Sequence, residues 1–317
     1  MAIRSKILKH ANKNISVGGA AMLLVATALV GQVLGFLRVK FVNANFDALG
    51  PHSTDAFFAA FKIPDFFFYT VAAGALGVAF IPVLADKLQE GDRKGAWELS
   101  NSLLNLLCLA MAFVGVVLFV FAEPLIKYIV APSMEAQQLS NAVFMMRVVA
   151  FNPLLFTITG ILTATQQTVG RFFYYAIAPL FYNTAIIVSA IVFSDVSNHT
   201  GGPFGLGLRG LGVGAFVGAV LQLLVVLFGM GGLKYRWSPT INFRSPSFRK
   251  VLVQLPPRSI DQGMDSINSI VETNFARRLG TGYLSYYENA YTLHMAPILL
   301  IGSAISTAAF PRMTERL

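Results

Sequence analysis

Apolar residues run along this chain in long continuous blocks separated by short polar stretches, rather than alternating or recurring in narrow stripes. The blocks fall at roughly 17–42, 54–84, 99–121, 139–165, 172–194, 207–232, 251–276 and 284–310. Each is long enough to cross a bilayer as a helix, which takes about 20 residues at about 1.5 Å each. A membrane barrel needs short strands with in–out alternation, which this pattern lacks. The pattern predicts an all-α polytopic membrane protein of about eight transmembrane helices. A basic stretch precedes the first block, as in a signal peptide. That block is long and has no small-residue cleavage site, so it reads as an uncleaved first span.

Composition agrees. Of 317 residues, 55% are hydrophobic and 12% charged, and the mean hydropathy is +0.64. Soluble domains carry roughly 25% charged residues, so this chain has too few polar groups to cover a globule in water. A net charge of +9 could point to nucleic acid, but the basic residues sit mainly in loops, where topology and lipid headgroups explain them. With eight spans, one side collects fifteen basic residues, including Arg4, Lys87, Arg93, Arg171, Lys234 and Arg249. The other side has five: Lys40, Lys127, Arg209, Arg277 and Arg278. This asymmetry predicts both ends in the cytoplasm. Residues 1–16 are then a cytoplasmic basic N-terminus, and 234–250 a basic interfacial linker with Trp237 and Phe243 at headgroup level. The single cysteine, Cys108, and four scattered histidines offer no disulfide framework or metal-ligand spacing.

The chain repeats itself. Ile81-Pro82-Val-Leu-Ala-Asp86-Lys87-Leu88 resembles Phe310-Pro311-Arg-Met-Thr-Glu315-Arg316-Leu317. At the same offset of 229, Phe41-Val-Asn-Ala-Asn45-Phe46 faces Ile270-Val-Glu-Thr-Asn274-Phe275, and Phe57-Phe58 faces Tyr286-Tyr287. Spans one and two thus correspond to spans seven and eight. Six spans separate each copy from its partner, an even number, so the repeat is parallel. The expected organisation is a first six-helix repeat over 17–233 and the first two helices of a second over 251–317. Two such halves facing across a cavity make a transporter, and a chain stopping here is expected to be a fragment or a shortened member.

Chemistry-bearing motifs are few. Gly205-Leu-Gly207-Leu-Arg-Gly210 fits a dinucleotide fingerprint by spacing but follows a polar loop instead of a strand, so it reads as a flexible lead into span six. Gly214-x-x-x-Gly218 there allows close helix approach. Without a Walker A motif or a nucleophile elbow, no enzymatic activity or cofactor is predicted. Ionisable groups inside apolar spans are more informative, because each costs a few kcal/mol unless it faces protein or water. Arg38 lies in span one, and Lys62 and Asp65 flank Ile63-Pro64 in span two, where the proline should kink the helix. Arg147 lies in span four; Arg258, Asp261, Asp265 and Glu272 follow Pro256-Pro257 in span seven. They predict either helix-to-helix ion pairs or a water-filled, mainly cationic cavity for an anionic headgroup. Asp261 and Asp265, at i and i+4, share a face and could neutralise Arg258, bind a cation or carry protons.

Val33-Leu34-Gly35-Phe36-Leu37-Arg38, then Thr54-Asp55-Ala56-Phe57-Phe58-Ala59-Ala60-Phe61-Lys62-Ile63-Pro64-Asp65, and Gly74 to Leu84, resemble the MviN/MurJ family in order and spacing. The resemblance implies a fold of the multidrug/oligosaccharidyl-lipid/polysaccharide exporter superfamily, usually of fourteen helices, in the bacterial cytoplasmic membrane. It also implies that lipid II, an undecaprenyl-pyrophosphate-linked glycan, is the substrate. Arg38 matches a cavity arginine, Asp55 an acidic residue at the outer end of span two, and Lys62 a basic motif position. There are departures: an arginine pair of many members is Phe68-Tyr69 here, and an eighth-span arginine is Thr292. Arg147 and Arg258 are candidates to substitute.

These readings converge on a flippase of lipid-linked precursor working by alternating access. Arg38, Lys62, Arg147 and Arg258 are the expected substrate contacts, and Asp55, Asp261, Asp265 and Glu272 the expected gating or ion-coupling groups. Gly74 and Gly77 are hinge candidates. The alternatives are an exporter of another lipid-linked polysaccharide, a cation-coupled drug antiporter using the acidic residues of span seven, or a non-transporting scaffold.

Overall fold

The computed structural model describes residues 17–73, 79–194, 203–295 and 297–298, with the side chains of Val17, Ala20, Ala21, Ala72, Ala73, Arg258 and Asp261 outside that description. Every regular element among the described residues is helical. Helix α1, Val17–Asn45, is predominantly apolar and leaves Met22, Val33 and Phe36 exposed, as a lipid-facing helix should. The Thr27 hydroxyl is satisfied within the helix by the Leu23 carbonyl at 2.8 Å.

The second expected span is described in two helical pieces, on either side of residues 74–78. Helix α2, Asp55–Phe67, contains Pro64, which lacks the N–H that the ladder needs. The chain then widens into a π-helical stretch, Phe68–Ala73. It resumes as α3, Ile81–Gln89, with Pro82 in the first turn. The hinge candidates Gly74 and Gly77 lie outside the described residues. Helix α4, Arg93–Val120, starts six residues earlier than its apolar run because Asp92 caps it, accepting from Gly95 N at 2.8 Å.

The fourth expected span is two helices, α5 at Ala136–Val149 and α6 at Asn152–Thr168, broken ahead of Pro153. Helix α7, Phe173–Val192, packs against α1 and against α8, Gly210–Gly229. The α7–α8 contact depends on glycine: a Cβ on Gly214 would sit 2.1 Å from Ser189 Oγ, and one on Gly218 3.0 Å from the Tyr182 carbonyl. Helix α9, Pro246–Leu279, contains Pro256 and Pro257; α10 begins at residue 283.

Among the described residues, five helical stretches are long and apolar enough to cross a membrane: Met22–Asn45, Arg93–Val120, Ala136–Thr168, Phe173–Val192 and Gly207–Gly229. The other three of the eight expected spans miss for separate reasons. The second includes residues 74–78, which lie outside the described residues, the seventh carries too many ionisable groups, and the eighth runs past the described residues.

The linker after α8 is irregular and strapped to a polar stripe on α4. Asn105 Nδ2 donates to the carbonyls of Ser238 (2.7 Å) and Thr240 (2.9 Å), and its Oδ1 accepts from Trp237 Nε1 at 3.0 Å. One turn earlier, Asn101 donates to the Arg236 carbonyl and accepts from the Tyr235 hydroxyl. The helical spacing of Asn101 and Asn105 puts both on the face that receives the linker.

Candidate functional site

A cavity of about 570 Å³ lies among α1, α2, α6, α7, α8 and α10. Helical periodicity assembles its polar wall. Arg38 and Val42 come from one face of α1; Phe58, Phe61, Lys62 and Asp65 come from one face of α2; Glu288 and Thr292 stand a turn apart on α10. Aromatic rings (Phe57, Phe68, Tyr69, Phe156, Tyr175, Tyr182) and the threonines Thr159 and Thr163 complete it. Arg38, Lys62, Asp65 and Glu288 put two basic and two acidic side chains in the described lining.

Lys62 binds across the cavity. Its Nζ donates to Glu288 of α10 and, at 2.8 Å, to Ser269 Oγ of α9. The side chains of this pair are 14% and 16% exposed, so water and solutes in the cavity reach them.

At the start of α2 lies a second ion pair of a different kind. Asp55 and Arg277 are sealed from solvent, with side chains 0% and 1% exposed. Arg277 Nη1 donates to Asp55 Oδ2 at 2.5 Å, which also accepts from Gly282 N at 2.8 Å. Asp55 Oδ1 accepts from Ser285 N (2.8 Å) and Ser285 Oγ (2.6 Å). On the far side, Arg277 Nη2 donates to Gln138 Oε1 at 3.0 Å and to the Ser133 carbonyl at 3.3 Å. The knot fastens the N-terminal ends of α2, α5 and α10 to the C-terminal end of α9. A buried charge pair is tolerated only with this density of further hydrogen bonds.

A profile of the lipid II flippase MurJ family matches residues 48–317. The chain belongs to the MurJ lipid II flippase family. It is 28% identical to a lipid II flippase MurJ of Burkholderia cenocepacia over 293 residues, which is 90% of this chain and 55% of that protein. It is 29% identical to a probable lipid II flippase MurJ of Bdellovibrio bacteriovorus, covering 98% of this chain and 56% of the relative. The chain thus spans about half the length of the curated MurJ relatives it matches. Its fold is that of a solved lipid II flippase MurJ in an inward closed conformation, with a TM-score of 0.75 at 19% identity over 93% of this chain and 59% of the other. An inward-facing multidrug resistance MATE family transporter of the MOP superfamily is also similar. Its TM-score is 0.66 at 18% identity, over 92% of this chain and 66% of that one.

Within this MurJ-family chain, the residues singled out from sequence separate into groups. Arg38 and Lys62 line the cavity. Asp55 stands outside it, in the sealed knot. Arg147 lies elsewhere: it is exposed, its Nε donates to the Phe119 carbonyl at 3.2 Å, and it is not among the residues lining the cavity. A cation on an apolar helix can simply face outward, and this one does. Arg258 and Asp261 lie outside the described side chains. Asp265 and Glu272 are exposed on α9, and Glu272 accepts from the Tyr287 hydroxyl at 2.6 Å. Among the described residues no three His, Cys, Asp or Glu side chains gather as a metal site. Two residues of the site carry little signal of their role in the sequence. Glu288 was visible as an acid within the eighth apolar block. Arg277 sat among loop charges beside Arg278 and gave no separate signal.

Proposed function

We propose that this chain forms the first half, and the beginning of the second, of a flippase that carries lipid-linked peptidoglycan precursor across the bacterial cytoplasmic membrane. In this reading the chain has eight spans with a cytoplasmic N-terminus. Residues 17–233 form one six-helix repeat, and α9 with α10 open a parallel second one. The observation that carries the reading is the cavity that Arg38 and Lys62 both line. A guanidinium and an ammonium together suit a pyrophosphate, which accepts several charge-assisted hydrogen bonds. The lipid tail would stay in the bilayer while the headgroup enters the cavity.

The Asp55–Arg277 knot would close the outer end of the cavity in this orientation. Alternating access then requires the knot to separate, a discrete event suited to a two-state transporter.

A second reading, a different lipid-linked saccharide, draws on the cavity lining. Phe68, Tyr69 and Thr292 line the cavity at the positions where the family resemblance implies arginines. Fewer cations and more rings favour a headgroup with more sugar face and less charge. Complementation of bacteria depleted of their own lipid II flippase separates the two. Rescue that is lost with Arg38→Ala supports lipid II. Failure to rescue despite good membrane expression supports the other saccharide.

A further inference from the structure

The two ion pairs between the N-terminal helices and α9–α10 differ in one respect that bears on how substrate acts. Asp55–Arg277 is sealed and surrounded by further hydrogen bonds, whereas Lys62–Glu288 opens into the cavity at 14% and 16% exposure. Glu288 supplies Lys62 with a negative oxygen at the place where an anionic solute in the cavity would meet the ammonium. We infer that Glu288 is an internal competitor for Lys62, held there until an anionic headgroup displaces it. Binding thereby breaks a bridge between α2 and α10. This rests on the flippase reading above and adds to it a specificity-determining residue and a link from binding to movement.

The surrounding groups fit displacement. Ser269 Oγ of α9 also accepts from Lys62 Nζ, at 2.8 Å, so the lysine keeps one fixed partner while it exchanges the other. Arg38 and Asp65 share the cavity with the pair. With Lys62 already paired to Glu288, an anion gains little from this ammonium unless it takes the place of that carboxylate. A pyrophosphate can do so, because it carries more charge and more acceptor oxygens than one carboxylate. Solutes of lower charge are held off by the same carboxylate, which makes Glu288 a filter for multiply charged headgroups.

The test is calorimetric binding of farnesyl pyrophosphate to the purified chain in detergent. The expected result is that Glu288→Gln binds about tenfold tighter than wild type, as a competing charge-assisted contact is removed. The gain should vanish in a Lys62→Ala background. Binding by wild type with no gain in Glu288→Gln would overturn the inference and leave the flippase reading intact. No binding by wild type or any variant would overturn the flippase reading, and the inference with it. A second measurement needs no change at Glu288. Spin labels at Phe66 and Leu293 should move apart when the probe is added to the otherwise wild-type chain, and an unchanged distance with the probe bound contradicts the broken bridge.

Discussion

Arg277 and Asp55, 222 residues apart in sequence, meet at 2.5 Å in a site that solvent does not reach. Breaking such a pair from one side leaves an uncompensated buried charge, at a cost of roughly 3–5 kcal/mol. Arg277→Ala and Asp55→Ala are therefore each expected to lower the thermal unfolding midpoint in detergent strongly. The double variant should lose clearly less than the two single losses combined, because it strands no charge. Additive losses would show that the two residues act independently.

The α7–α8 contact gives a graded prediction. A Cβ at Gly214 meets Ser189 Oγ at 2.1 Å and Ser189 Cβ at 2.3 Å, whereas one at Gly218 reaches 3.0 Å at closest and one at Gly35 meets nothing within 4 Å. Overpacking costs about 1–3 kcal/mol. Unfolding midpoints should fall most for Gly214→Ala, less for Gly218→Ala, and hardly at all for Gly35→Ala.

The linker strap predicts a local effect. Asn105 makes three hydrogen bonds to residues 237–240, each contributing about 0.5–1.5 kcal/mol. Asn105→Ala should speed amide exchange across residues 236–242 while leaving α7 and α8 protected. Unchanged exchange in the linker would mean that other contacts hold it.

At the start of α4, outside the membrane spans, the hydrogen bond from Lys87 and that from Gly95 N hold the Asp92 carboxyl below its ordinary value of 3.8. The bond to Asp92 raises Lys87 above its ordinary 10.5. A lowered carboxylate contributes above its unfolded pKa and is lost as pH falls through the folded one; a raised lysine is lost as pH rises through its folded value. Protection of the first turn of α4, read by amide exchange at Gly95 and Ala96, should be level across neutral pH. It should decline only below about pH 4 and above the ordinary lysine value.

Much of the fold was legible because a helix in lipid must be long and apolar, which writes its position into the sequence. Local breaks were less legible. Pro64 marked a kink in the second block, but nothing nearby signalled that the chain would widen into π-helix at 68–73. The charged residues show the limit most sharply. Arg277 and Arg278 are neighbours, yet helical rotation buries the first against Asp55 and leaves the second exposed over the Phe275 ring. Arg38 and Arg147 both stand out as arginines in apolar blocks, and only packing decides that one faces the cavity and the other faces out. Glu288 acquires its role from Lys62, a partner 226 residues away.

The central claim is that this cavity moves a pyrophosphate-linked lipid. Its most direct test is a proteoliposome assay with the complete reading frame that carries this chain. A fluorescent lipid II analogue would be placed in both leaflets, and the fraction bleached by a membrane-impermeant reductant would be followed. The account predicts that bleaching rises from about half to nearly all with the wild-type protein, falls back with Arg38→Ala or Lys62→Ala, and is unaffected by Arg147→Ala. Bleaching that stays near half with the wild-type protein, or that persists when Arg38 and Lys62 are both removed, would contradict it.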